Sequence, residues 1–264
     1  MWAHLPAVNH SPLPRRLMML LLALLPSLLV GLVLTLIERI CGAARGDWLR
    51  NLESWALQLA AAIAIMPLVP LWRGASLIDG AKLPFWLGCA VFLVVRDLGE
   101  YLFHRAQHRV PWLWAMHSLH HSDPDMNALT TQRHFWGDQL VKQVTVWSAA
   151  LMVITPTPAM VGVFGLISLW NLVIHANLPL DFGRWSWVLN APGYHRRHHS
   201  CLPEHYDSNF AALLPIFDVI GGSYHPGDGF PPTGLAHQPE SLADLAIWPL
   251  IWNRPARPAH TTTA

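Results

Sequence analysis

The apolar positions of this chain are gathered into long blocks, not spread at a helical or strand period. Leu17 to Ile37 holds 21 residues without a charge and follows Arg15-Arg16. About 20 apolar residues cross a bilayer as a helix. A signal peptide's apolar core is shorter and is followed by a small-residue cleavage site, which is missing here. The block therefore predicts a membrane anchor. Ser54 to Trp72 adds 19 uncharged residues, which Pro67 and Pro70 kink or end. Leu83 to Val95 is a shorter run that continues through Arg96 and Asp97 to Phe103. The longest block, Gln143 to Leu180, is 38 residues without Asp, Glu, Lys or Arg, and Thr155-Pro-Thr-Pro158 interrupts it. Proline breaks helices and biases the preceding residue towards extended geometry, so the block predicts two helices folded back on each other as a membrane hairpin.

Composition supports the same picture. Of 264 residues 53% are apolar and 12% charged, and mean hydropathy is +0.30; soluble domains are about one quarter charged. A disordered chain, a nucleic-acid binder and an ordinary cytosolic enzyme are excluded. A net charge of +1 promises no basic patch. Cys41, Cys89 and Cys201 are too scattered for a disulfide framework or a thiolate zinc site. Ten of the 17 Lys and Arg lie from Arg96 onward, which places the polar stretches there on the cytoplasmic face. The expected fold is an all-α integral membrane protein whose transmembrane helices carry a helical cap on the cytosolic face.

Those polar stretches hold the candidate chemistry, for the chain has 16 His against 16 Asp and Glu. Three clusters recur: His104-Arg-Ala-Gln-His108, His117-Ser-Leu-His120-His121 and His195-Arg-Arg-His198-His199. Spacings of three and four share a helix face, so each cluster is expected to aim its imidazoles at one point. Neutral imidazole is the common nitrogen ligand of divalent first-row metals. Eight exceed what one ion uses, so two metals are expected. His175 leaves the apolar hairpin and needs a polar or metal partner there. His134 is a candidate ligand or a supporting residue, and Asn171, one turn before His175, a candidate contact. Asp97, Asp207 and Asp218 are candidates to orient ligand rings through the second ring nitrogen. No ExxH pair or HExxH motif occurs, which excludes ferritin-like di-iron bundles and the common zinc protease.

The chain resembles the fatty acid hydroxylase/sterol desaturase superfamily of membrane oxygenases. Asp97 to His108 (DLGEYLFHRAQH), Leu113 to Ser122 (LWAMHSLHHS) and Pro192 to Ser200 (PGYHRRHHS) resemble its three histidine boxes. Asn127 to His134, His175-Ala-Asn177-Leu and Asn209 to Tyr224 resemble the intervening and closing segments. The closing segment departs from the family pattern at Asn209-Phe210-Ala211, Phe217-Asp218 and Gly221-Gly222-Ser223. Some members carry His where Asn171 stands, so His134 or Asn171 completes the set. The resemblance implies a transmembrane anchor region over 1–82, a catalytic domain over 83–250 and a C-terminal tail over 251–264.

It also implies two irons held by His104, His108, His117, His120, His121, His134, His175, His195, His198 and His199. With O2 as cosubstrate they would hydroxylate or desaturate an unactivated C–H bond of a lipid drawn from the bilayer. No NAD, flavin or haem motif is visible, so electrons would come from a ferredoxin or cytochrome with its reductase. The rival readings are a membrane metal carrier or sensor, and a zinc-dependent membrane hydrolase using metal-bound water.

Overall fold

The computed structural model describes residues 13–43, 46–65, 72, 74–227 and 229–253, with side chains from residue 25 on. The architecture is mostly helical. Helix α1 (Leu13–Ile40) covers the expected anchor, and α2 (Trp48–Ile65) covers the first part of the second block. Residues 66–71 of that block, and the tail from 254, lie outside the described residues. Among the described residues no helix is long and apolar enough to cross a membrane.

The longest described helix after α1 is α3 (Phe85–Arg109), and it runs from the apolar block into the first His cluster. Val110 ends α3 and caps α4 (Pro111–His121), whose Pro111 sits at the first helical position, where its missing N–H costs nothing. Next, α5 (Trp136–Lys142) passes through a π-helical stretch, Gln143–Trp147, directly into α6 (Ser148–Val153). The chain turns at Thr155-Pro-Thr-Pro158 as expected. Thr157 caps α7 (Pro158–Ser168), and α8 (Trp170–Ile174) follows. At the turn, β2 (Ile154–Thr155) pairs in parallel with β1 (Ile78–Asp79), a two-residue sheet that the apolar pattern did not predict. The third cluster lies on α9 (Pro192–His198), followed by α10 (Ile216–Gly221) and α11 (Leu242–Ile247).

Helix α3 and the α5–α6 rod run antiparallel. From one end to the other, Phe92 packs with Ala150 and Ile154, Arg96 lies over Trp147, Glu100 pairs with Lys142, and Gln107 donates to Asp138. The apolar ends of both rods therefore lie together, and their polar ends meet at the histidines. Glu38 ties α1 to the same scaffold: its buried Oε1 accepts from the amides of Ala128 at 2.8 Å and Asn177 at 2.7 Å. Arg133, fully buried, donates to Ser122 and Asn51 and so joins α2 to the end of α4. All three cysteines are free.

Candidate metal centre

Nine of the predicted imidazoles converge. One nitrogen from each of His104, His108, His117, His121 and His198 falls within a single group whose members lie within 4.8 Å of one another. His120, His175, His195 and His199 form a second group to the same tolerance. The groups adjoin: across the boundary the stacked rings of His121 and His199 lie 4.3 Å apart and those of His117 and His120 5.3 Å apart.

The clusters do not each aim at one point, contrary to expectation. His117 and His121 enter the first group while His120 enters the second; His195 and His199 enter the second while His198 enters the first. Helical geometry gives the reason. At about 100° per residue, positions i and i+4 differ by about 40°, whereas the i+3 residue points about 60° the other way. The i,i+4 pairs stay together and the odd member serves the neighbouring group.

Three of the ring nitrogens away from the centre are held by backbone. His104 Nδ1 donates to Phe210 O at 2.7 Å, His175 Nδ1 to Asn171 O at 2.7 Å, and His198 Nδ1 to Ser208 O at 2.8 Å. An imidazole donating through Nδ1 presents a bare lone pair at Nε2. His175 Nε2 nevertheless lies 3.0 Å from Nε2 of both His120 and His195, and His104 Nε2 lies 3.0 Å from His117 Nε2. Two nitrogens bound at a right angle to one ion, each at about 2.1 Å, stand about 3.0 Å apart. The buried Nε2 atoms of His108, His121, His198 and His199 have no hydrogen-bond partner. Inward lone pairs at metal-edge spacing, with unpartnered nitrogens around them, fit a metal site.

Burial keeps these rings neutral. It takes His117 down to about 3 against the opposing pull of Asp138, and holds His104, His120, His121, His195, His198 and His199 well below the usual histidine range, with neighbouring imidazoles adding to the effect. Neutral imidazole is the ligand form.

Of the three candidate acids, only Asp207 lies against a ring. His134 lies outside both groups and gathers instead with His117 and Asp138 to the same tolerance. It stacks on His120 with ring centroids 4.1 Å apart, and its Nδ1 is 3.2 Å from Asp138 Oδ2. Asn171 acts through its main-chain carbonyl on His175, while its side-chain amide donates to Ser168 O. Asp97 does not reach a ring: its carboxylate accepts from the amides of Leu213 and Leu214. Asp218 accepts from the amides of Phe210 and Ala211, from Tyr194 and from Ser223. Both acids hold the 210–214 segment, whose Phe210 carbonyl in turn orients His104. The backbone amides of that segment needed acceptors, and the two carboxylates satisfy them. Asp207 is exposed, with Oδ1 3.7 Å from His108 Nδ1.

Two residues went unrecognised in the sequence. Asp138, fully buried, faces His134 and His117 Nδ1 (3.8 Å) and accepts from Gln107 at 2.6 Å. Burial alone raises its carboxyl, but the bonds to His117 and His134 hold it below the ordinary range. Its signal was present, since it follows His134 by the same four-residue spacing that marks the histidine pairs. Phe210 seals the first group, packing against the rings of His104, His108 and His198.

A cavity of about 530 Å³ opens onto both groups through His104, His117, His120, His175 and His195. Leu59, Ala62, Leu93, Phe164 and Ile167 give it an apolar wall.

The fatty acid hydroxylase family profile matches residues 89–223, which is 135 of the 264 and includes all nine converging histidines. The chain belongs to the fatty acid hydroxylase family. It is similar to alkylglycerol monooxygenase of Xenopus tropicalis, 31% identical over 198 residues that cover 72% of this chain and 43% of the relative. The Danio rerio alkylglycerol monooxygenase is 33% identical over 64% of this chain and 38% of its own. The ornithine lipid hydroxylase OlsE of Rhizobium tropici is 28% identical over 50% of this chain and 40% of its own. The matches thus span about two fifths of each relative. No solved structure matches.

Proposed function

We propose that this family member is a membrane-bound, non-haem di-iron oxygenase that hydroxylates or desaturates an unactivated C–H bond of a lipid. The observation that carries the reading is the pair of adjoining all-imidazole groups opening onto one apolar-walled cavity. The relatives named as lipid monooxygenases and hydroxylases support it.

His104, His108, His117, His121 and His198 would hold one iron, and His120, His175, His195 and His199 the other. His134 is kept as a candidate ligand, gathered with His117 and Asp138. Iron bound there would supply the O2 chemistry that removes hydrogen from the substrate. The chain itself fixes the tautomers of His104, His175 and His198 through the carbonyls of Phe210, Asn171 and Ser208, and lays the lipid along the cavity wall. Phe210 keeps water from the first group, which protects a reactive centre from side reactions. Electrons come from a separate ferredoxin or cytochrome with its reductase.

The exposed Leu25, Leu28, Leu29, Leu32, Val33 and Leu36 of α1 support a helix in contact with lipid. The polar ends of α3 and α5, with the histidines, then face the cytoplasm.

The deciding experiment is metal analysis of the purified protein together with O2 uptake in the presence of lipid and a reductant. Two irons per chain and lipid-dependent uptake are expected. One zinc and no O2 consumption would overturn the assignment in favour of a hydrolase, and metal without O2 chemistry in favour of a carrier or sensor.

A further inference from the structure

One charged cluster in the cavity has no part in holding metal. Arg96, Glu100 and Lys142 line its wall. Glu100 bridges the two cations, accepting from Arg96 Nη2 at 2.8 Å and from Lys142 Nζ at 3.0 Å. The Arg96 guanidinium is buried 4.3 Å from the centroid of the Trp147 ring, and its Nε and Nη1 have no hydrogen-bond partner. Glu100 therefore meets one donor of each cation and leaves Arg96 Nε and Nη1 without an acceptor. Asp97, the neighbouring acid, is already engaged by the amides of Leu213 and Leu214. A buried charge is costly without a partner, and an ammonium has three donors, of which Glu100 takes one.

Position adds a second argument. Arg96 is the first charge after the apolar run from Leu83, and Lys142 is the last before the uncharged block that begins at Gln143. The cluster therefore marks a boundary inside the cavity. Apolar wall lies on one side and the histidines on the other, with Glu100 one turn from His104 and Arg96 about 12 Å from it along α3. The π-helical stretch immediately after Lys142 brings Trp147 over Arg96; such stretches are frequent at functional sites.

We propose that Lys142 and Arg96 form a headgroup subsite that takes the anionic end of a lipid, a carboxylate or a phosphate. The hydrocarbon runs along Leu93, Phe164 and Ile167. The subsite deepens the lipid oxygenase reading and rests on it for its biological use, but its test needs neither metal nor turnover.

Trp55, Trp147 and Trp170 line the cavity, so a nitroxide-labelled lipid bound there quenches their fluorescence. The full chain in detergent micelles is titrated with doxyl-stearate, with its methyl ester, and with a phosphatidic acid carrying the same doxyl chain. The acid is expected to quench at about tenfold lower concentration than the ester, the size expected of a charged hydrogen bond. Lys142→Met should shrink that preference below about twofold and Lys142→Arg should keep it. Tighter quenching by the phosphatidic acid than by stearate supports a phosphate headgroup, and the reverse order a carboxylate. Equal quenching of the unmodified chain by acid and ester overturns the subsite, whether or not either variant folds. An undiminished preference in folded Lys142→Met overturns it too. If the preference is present but no iron is found, the oxygenase reading fails while the subsite stands.

Discussion

His104 shows how one residue is specified from two sides. Its Nδ1 is fixed by the Phe210 carbonyl and its Nε2 is thereby left bare, aimed at His117. Replacing His104, His120 or His198 by Ala should abolish lipid oxidation while leaving membrane insertion intact, measured by product formation and by fractionation. Full activity in any one of them removes that residue from the proposed metal set. Asp138 acts through its neighbours, so Asp138→Asn should weaken metal retention by about 10- to 100-fold, the usual effect of losing a carboxylate behind a ligand histidine. Competition with a graded series of chelators reads this out directly. At this scale the sequence was legible where spacing alone carried the information, as in the three boxes. It was silent on Phe210 O, Ser208 O and Asn171 O, because every residue has a carbonyl and only the fold selects which one meets a ring.

Among the elements, the 207–214 segment has no regular structure of its own, yet it sets the position of two of the converging rings. Asp207 and Asn209 take positive φ there, and Asn209 is held by its own side chain to the Tyr194 carbonyl and the His225 amide. Asp218 and Asp97 clamp the segment from opposite ends. Asp218→Asn replaces an acceptor of four hydrogen bonds by a group whose NH2 meets one backbone amide and one hydroxyl donor. It should cost about 2 kcal/mol or more of unfolding stability, visible in the denaturation midpoint. Asp97→Asn, with two bonds at stake, should cost less. The acids were recognisable as candidates, but their targets were not. A carboxylate seven residues before a histidine on one helix face is close in sequence geometry, while the amides of Leu213 and Leu214 are close only in the folded chain.

For the molecule as a whole, the buried neutral histidines link stability to pH. An imidazole that titrates near the ordinary 6.5 when unfolded and near 3 when folded, as His117 does, binds more protons in the unfolded state throughout that window. Stability therefore rises with pH across it: the contribution is complete above about 6.5 and is lost as pH falls towards 3. The melting temperature of metal-depleted protein should drop steadily between pH 7 and pH 5. A flat profile would show that the rings are not buried in their neutral form. By itself the sequence determined the apolar blocks, the turn at Thr155-Pro-Thr-Pro158, and the presence of three histidine boxes beside them, because these depend on composition and on the helical period. Tertiary structure alone decided how the boxes divide between two groups, that His134 stacks on His120, and that Asp97 and Asp218 serve a loop. The reason is physical: helical spacing fixes the angle between neighbouring rings to within tens of degrees, but which ring meets which across helices depends on how α3, α4 and α9 pack.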